Sequence, residues 1–395
     1  MNEIRKIVRT FHPVGQGAFY SERFYDDSGN VTNVVFDCGV EDVGERHKKV
    51  VRGNFTEDDA IKYLFISHLD NDHISLVKTL KEAVGGKIWN VVLPYINRES
   101  VALQYSLSLI SGDSNVWSFW RGLKDVQDGV STEGSETRYH FIGDERDNDL
   151  PERWNVQLHN SGEPFSLGNY SNEDWVFIPF VHHPERKDKL DEHLTPLLTD
   201  NQFQKEVEGL GLTITSLKDL KLALIKDTFA DLINNPVIKK KLHDAYCGIT
   251  GTINQNSLIV YSGPSVKYDS KYHAFLDEGF VPRYYPGLYY HVACIYTGDS
   301  DFDITSYKNH LGKLWNNVGT IQIPHHGSLD SFKIDKNHDK LPSHIAFPVS
   351  CGEVNKYGHP SGKVLSLLCA ERNYPFIVTE QCSTIYIQLF MRCHS

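Results

Sequence analysis

The apolar run Ile61-Lys62-Tyr63-Leu64-Phe65-Ile66 leads directly into Ser67-His68-Leu69-Asp70-Asn71-Asp72-His73-Ile74. The run reads as a buried strand, so His68, Asp70, Asp72 and His73 fall on the loop at its carboxyl end. Two imidazoles and two carboxylates within six positions behind a core strand make sense chiefly as a metal site. Nitrogen and oxygen donors without thiolate suit Zn²⁺, Mn²⁺ or iron, and the two Asp tilt the choice toward harder ions. Such a chain is constrained to a fold in which strand ends converge on one locus.

Two more strand ends supply what the site still lacks. Tyr296-Thr297-Gly298-Asp299 follows the apolar stretch His291-Val292-Ala293-Cys294-Ile295, and places Asp299 where it could bridge two ions. Ile321-Gln322-Ile323-Pro324-His325-His326-Gly327-Ser328 is another short strand ending in paired imidazoles. One of the pair is expected to bind metal while the other orients a ligand or contacts substrate. We assign His325 to the metal and place His326, Ser328 and Gln16 on the substrate side.

The order and spacing of these segments resemble the metallo-β-lactamase superfamily, with His-x-Asp-x-Asp-His, then Gly-Asp, then His. The chain most resembles the soluble nuclease-like domain of ComEC-type DNA-uptake proteins. Val14-Gly15-Gln16-Gly17, Val35-Phe36-Asp37-Cys38-Gly39, Asn256-Ser257-Leu258-Ile259-Val260, Pro324-His325-His326-Gly327-Ser328 and Tyr357-Gly358-His359-Pro360 are similar to motifs of that group and occur in its order. The group's Asp after Val-Gly-Gln-Gly is Ala18 here, and its second His after Gly-His-Pro is Ser361. Phe180-Val181-His182-His183-Pro184 loosely resembles a third metal motif, with His183, or else His182, as its ligand.

The resemblance implies a four-layer αββα sandwich of the α/β (α+β) class and two-metal hydrolysis with Zn²⁺ or Mn²⁺. His68, Asp70 and His183 would hold one ion and Asp72, His73 and His325 the other, with Asp299 between them. Asp72 would also orient the nucleophile. His359 is the candidate for stabilising the leaving oxygen, by hydrogen-bond donation or proton transfer. The expected function is a metal-dependent phosphodiesterase or nuclease acting on DNA or RNA. A small phosphoester, thioester, lactam or amide is the alternative substrate on the same fold, and a sensor or scaffold that docks a partner is the alternative from another class.

A net charge of −11 over 395 residues disfavours broad electrostatic capture of long nucleic acid and suits short or small phosphoesters, for which metals supply the positive charge. Seven Cys without regular spacing argue for reduced thiols. No stretch reaches the roughly 18 to 20 apolar residues of a membrane span, and Met1-Asn2-Glu3-Ile4-Arg5-Lys6 lacks the apolar core of a signal peptide, so a cytoplasmic protein without membrane contact is expected. One enlarged domain, residues 1–395, is the expected organisation, interrupted by an irregular region at about 98–165 and a helical insertion at about 185–254. The Lys- and Leu-rich insertion follows the third motif, so it is expected at the cleft rim as a lid or a docking element for a protein partner.

Overall fold

The computed structural model describes residues 3–95, 101, 114–127, 137–143, 155–168, 175–181, 190–225, 229–253, 257–265, 272–277, 282–283, 291–332, 341 and 343–392. In chain order the strands are β1 (Ile4–Phe11), β2 (Phe19–Asp26), β3 (Val31–Cys38), β4 (Ile61–Phe65), β5 (Asn90–Pro94), β6 (Arg138–Gly143), β7 (Val156–Asn160), β8 (Phe165–Ser166) and β9 (Val176–Val181). They continue as β10 (Leu258–Gly263), β11 (Tyr272–Asp277), β12 (Pro282–Arg283), β13 (Ala293–Tyr296), β14 (Val318–Ile321), β15 (Ala346–Ser350), β16 (Tyr374–Val378) and β17 (Tyr386–Arg392).

These strands form two sheets, in the orders β12-β11-β17-β1-β2-β3-β4-β5-β6-β7 and β16-β15-β14-β13-β10-β9-β8. Each has a parallel half, β3 to β7 in one and β13 to β16 in the other, and an antiparallel remainder. Period-2 alternation explains how they pack. Val34 and Phe36 of β3 point into the space between the sheets with Phe177, Leu258 and Cys294, whereas Val35 points outward. Outside the first sheet, Val35, Leu64 and Val91 pack against helices Glu45–Asn54, Val77–Ala83 and Ser114–Gln127. Outside the second, Ile259, Tyr261 and Ile295 pack against helices Ile304–Leu311 and Gly362–Ala370. The result is a mixed α/β αββα sandwich, the layer order that the sequence resemblance implies.

Several elements differ from expectation. The stretch 98–165, expected to be irregular, contains helix Ser114–Gln127 and strands β6 and β7, which extend the first sheet. Strand β2 carries Glu22 at its centre, a polar residue that period-2 patterning alone would not place inside a sandwich. That carboxylate is fully buried against Arg9 Nε at 2.6 Å. Arg9 also donates to Gln388 Oε1 (2.9 Å) and the Val292 carbonyl (3.0 Å), and Glu22 accepts from Ser262 (2.6 Å) and Tyr296 (3.0 Å). This network ties the two sheets together through the apolar interlayer. Between β9 and β10, helices Leu190–Leu194, Asn201–Gly209, Leu217–Ile225, Phe229–Asn234 and Pro236–Ile253 pack around a core of their own, including Leu197, Phe203, Leu220, Leu232 and Leu242. Among the described residues no helix is long and apolar enough to cross a membrane.

Removing one partner of a buried ion pair leaves a charge with no counter-charge. Arg9→Met is therefore expected to lower the unfolding free energy by about 3–5 kcal/mol. The double variant Arg9→Met/Glu22→Leu is expected to be more stable than the single one, with both measured by urea denaturation.

Candidate metal centre

The loop after β4 turns at once into a short helix, Asn71–Ile74, with Asp70 at its N-cap. That tight turn brings the four polar residues of the first motif to one spot. It needs a close backbone approach: a Cβ on Gly39 would lie 2.5 Å from the Asp72 carbonyl carbon and 2.6 Å from the His73 nitrogen. The Ala18 N–H donates to the Asp72 carbonyl at 3.0 Å, which lashes the Val14–Ala18 loop to the same turn.

Asp299, at the end of β13, lies between the donors. Its Oδ2 is 3.8 Å from His68 Nε2 and its Oδ1 is 3.3 Å from His73 Nε2. Asp72 Oδ2 lies 3.7 Å from His73 Nε2 and 3.0 Å from His326 Nε2. Asp70 Oδ2 is 3.8 Å from His68 Nε2. Two overlapping groups result, Asp72–His73–Asp299–His326 and His68–Asp70–Asp72, whose donor atoms within each group lie within 4.8 Å of one another.

The outer hydrogen bonds fix which nitrogens face inward. Asp37, at the end of β3, accepts from Ser67 N–H (2.7 Å), the Ser67 hydroxyl (2.7 Å) and His73 Nδ1 (2.9 Å). The Ser67 proton is thus committed, so Ser67 Oγ accepts from His68 Nδ1 at 3.1 Å. Both imidazoles consequently turn Nε2 toward Asp299. His68 Nε2, His73 Nε2 and Asp299 Oδ1 are buried and find no hydrogen-bond partner among the described residues. Orphaned polar atoms at one buried point are costly unless a further group satisfies them, and nitrogen with carboxylate oxygen is the donor set of a divalent cation. The residues therefore fit the metal that the motif order implies.

Charge balance points the same way. Burial pushes the His68 imidazole down to about 4, with His73 adding to the effect, so it is neutral near pH 7. Burial would lower His73 as well, but Asp299, Asp37 and Asp72 outweigh it and raise that ring well above its ordinary value. Burial would raise Asp299, yet His73, His68 and His326 hold it well below the usual carboxylate range. For Asp70, burial, Asp72 and Asp299 outweigh the help of His73 and push it up to about 7. A proton on His73 thus stands where a cation would neutralise the carboxylates.

The paired histidines require a correction. His326, which we placed on the substrate side, belongs to the donor group; its Nδ1–H donates to the Ser350 carbonyl at 2.9 Å and its Nε2 meets Asp72. His325, which we assigned to the metal, is 35% exposed, with Nδ1 3.0 Å from Ser331 Oγ and Nε2 3.8 Å from Asp299 Oδ2. Both residues have left-handed backbone (φ 48° and 53°), which splays their adjacent rings 69° apart and defeats any assignment from strand period.

Other expected residues fall as follows. His183 and His182 lie outside the described residues. Gln16 Oε1 accepts from the Gly352 N–H at 3.2 Å, a loop-to-loop tie. Ser328 is buried, and its N–H donates to the His325 carbonyl at 2.9 Å. His359 stands at the rim, its ring centroid 6.1 Å from that of His325. Asp37 and Ser257 lie within the matching sequence motifs and Ser67 heads the first metal motif, but the sequence alone assigns none of them a role; Ser257 Oγ lies 3.4 Å from His68 Nδ1 and accepts from the Asp299 N–H at 3.2 Å.

No family model matches the chain, and no curated protein matches it. Among solved structures the chain is similar to the metallo-β-lactamase fold protein YhfI from Bacillus subtilis, at 8% identity over 97% of this chain and 100% of that one, with a TM-score of 0.38. It is also similar to a long form RNase Z from yeast, at 11% identity over 80% of this chain and 32% of that one (TM-score 0.29). A metallo-β-lactamase from Cronobacter sakazakii is 17% identical over 44% of this chain and 53% of that one (TM-score 0.22).

Asp70 yields a prediction with a definite sign. Its folded carboxyl titrates at about 7, against an ordinary 3.8. Between these values the folded chain holds a proton that the unfolded chain has lost, so this group makes the metal-free protein less stable as pH rises from 4 to 7. Asp70→Asn is expected to raise the Tm of the chelated protein at pH 8 and to reduce, without abolishing, the Tm gain on adding Zn²⁺ or Mn²⁺, because Asp72, His73, Asp299 and His326 remain; both are read by differential scanning fluorimetry.

Proposed function

We propose that the protein is a metal-dependent hydrolase, and within that class a dinuclear phosphodiesterase or nuclease acting on DNA or RNA. The observation that carries the first part is the convergence of His68 Nε2, His73 Nε2 and Asp299 Oδ1, all buried and unsatisfied among the described residues. His68 and Asp70 would hold one ion, Asp72, His73 and His326 the second, and Asp299 would face both. When bound, divalent ions supply Lewis acidity and positive charge for an anionic ester.

The chain's own residues do the rest. Asp37 and Ser67 hold His68 and His73 with Nε2 inward, so the donor set is organised before any ligand arrives. Asp72 Oδ2 is the acceptor that lines this inner surface, placed to orient an attacking water. Burial, His325 and His326 push the His359 imidazole down, which keeps it neutral and able to pass a proton through its ring at neutral pH. From the rim it is placed to stabilise a departing alkoxide. The register of short motifs with DNA-uptake nuclease-like domains supports a phosphodiester substrate, and the net charge of −11 favours short or single-stranded ones.

The test uses the full chain loaded with Zn²⁺ or Mn²⁺, end-labelled DNA and RNA, and bis-p-nitrophenyl phosphate. Asp72→Ala is expected to abolish turnover. His359→Ala is expected to reduce kcat by about 10²- to 10⁴-fold while metal content stays unchanged. Turnover of the small ester alone would move the reading to a small phosphoester, and turnover of neither, with metal bound, would overturn it.

A further inference from the structure

Residues 351–361 form a loop beside the donor cluster whose polar groups are almost wholly consumed in holding its shape. Asn355 accepts from the Tyr357 and His359 N–H groups (3.2 and 3.0 Å) and donates to the Gly352 and His359 carbonyls (2.9 and 2.7 Å). The Tyr357 hydroxyl donates to Glu41 Oε1 at 2.8 Å, and Lys356 Nζ reaches the same oxygen at 2.8 Å. The ring is therefore clamped at its hydroxyl edge, yet Tyr357 is 49% exposed. A rigid, half-open aromatic ring costs little entropy to stack upon.

Its position gives that ring a use. Tyr357 lies nearly parallel to His359, at 15° with centroids 5.8 Å apart. The His359 centroid is 6.1 Å from that of His325, whose Nε2 is 3.8 Å from Asp299 Oδ2. Three rings thus run in file from the donor cluster to solvent. A phosphodiester seated at the cluster would carry its neighbouring nucleoside out along this file. Lys356 Nζ pairs with Glu41 and also lies over the Tyr357 ring, 4.9 Å from its centroid, so the outermost position offers an aromatic ring flanked by a cation. An aromatic face binds any nucleobase by stacking, with little regard to sequence.

We propose that Tyr357 is a base-stacking platform for the nucleotide that flanks the scissile phosphodiester, and so a specificity-determining residue for nucleic acid over base-free phosphoesters. The inference rests on the phosphodiesterase reading above. Among the described residues the hydrogen bonds and ring contacts of Tyr357 run to Glu41, Asn355, Lys356 and His359, none of them in the donor cluster, so its removal is expected to leave metal binding intact.

The test measures binding to the metal-loaded full chain, with phosphorothioate trinucleotides that resist hydrolysis. One probe carries central 2-aminopurine, whose fluorescence falls on stacking; the other is abasic at that position and is measured by competition. Tyr357→Ala is expected to raise Kd for the 2-aminopurine probe about 5- to 150-fold and to remove its quenching. The same variant is expected to leave the abasic probe unchanged, and Tyr357→Phe to bind both as the wild type does. Equal Kd in Tyr357→Ala, or equal weakening of both probes, would overturn the platform and leave the metal reading standing. If the metal-loaded wild type binds neither probe, the phosphodiester reading falls and this inference falls with it.

Discussion

Asp37 sits at the carboxyl end of β3, and its two oxygens accept three hydrogen bonds, from the Ser67 backbone, the Ser67 hydroxyl and His73 Nδ1. Those bonds join the sheet scaffold to the donor cluster. Through Ser67 they set the proton on His68 Nδ1, and directly they set it on His73, so one buried carboxylate decides which way two imidazoles face. Asp37 holds this place with left-handed backbone (φ 51°), a conformation that Asp tolerates better than most residues. Strained backbone recurs across the cleft at His325 and His326, and such outliers gather where a site must hold side chains against local preference.

The second constraint is electrostatic. Asp299 is buried, Asp70 and Asp72 are partly buried beside it, and no Lys or Arg side chain pairs with the three among the described residues. A proton on His73 balances part of that charge, Asp72 and Asp299 also raise His326, and burial with Asp72 and Asp299 pushes the Asp70 carboxyl up to about 7, where it holds a proton more readily than an ordinary carboxyl. A cation would replace these protons, which couples metal binding, pH and stability in one set of residues. Elsewhere, Arg9 and Glu22 show the opposite solution, a buried pair that neutralises itself and leaves nothing for a ligand to do.

Much of this was legible in the sequence, for identifiable reasons. His68, Asp70, Asp72, His73 and Asp299 follow apolar runs, and the end of a core strand has only a narrow choice of where to point. The layer order came with the family resemblance, and the inward Val34 and Phe36 with outward Val35 on β3 accord with it. Legibility failed where backbone direction departs from strand or helix period. The choice between His325 and His326 depends on two left-handed residues in a row, which no periodicity reveals. Strand β2 was hidden because Glu22, polar in the sequence, finds its counter-charge on another strand. Asp37, Ser67 and Ser257 are ordinary residue types whose roles exist only once three strand ends meet. Helix Ser114–Gln127 and strands β6 and β7 lie in a stretch whose mixed composition masks regular structure.

The account stands or falls on whether the buried His/Asp cluster is a metal centre. Anomalous diffraction from crystals of the protein grown with Zn²⁺ or Mn²⁺, collected on both sides of the metal's absorption edge, addresses this most directly. Two peaks are predicted, one at coordination distance from His68, Asp70 and Asp299, the other from Asp72, His73, His326 and Asp299. An empty cluster in crystals that hold the ion elsewhere, or a site built on His325 with His326 turned away, would contradict it.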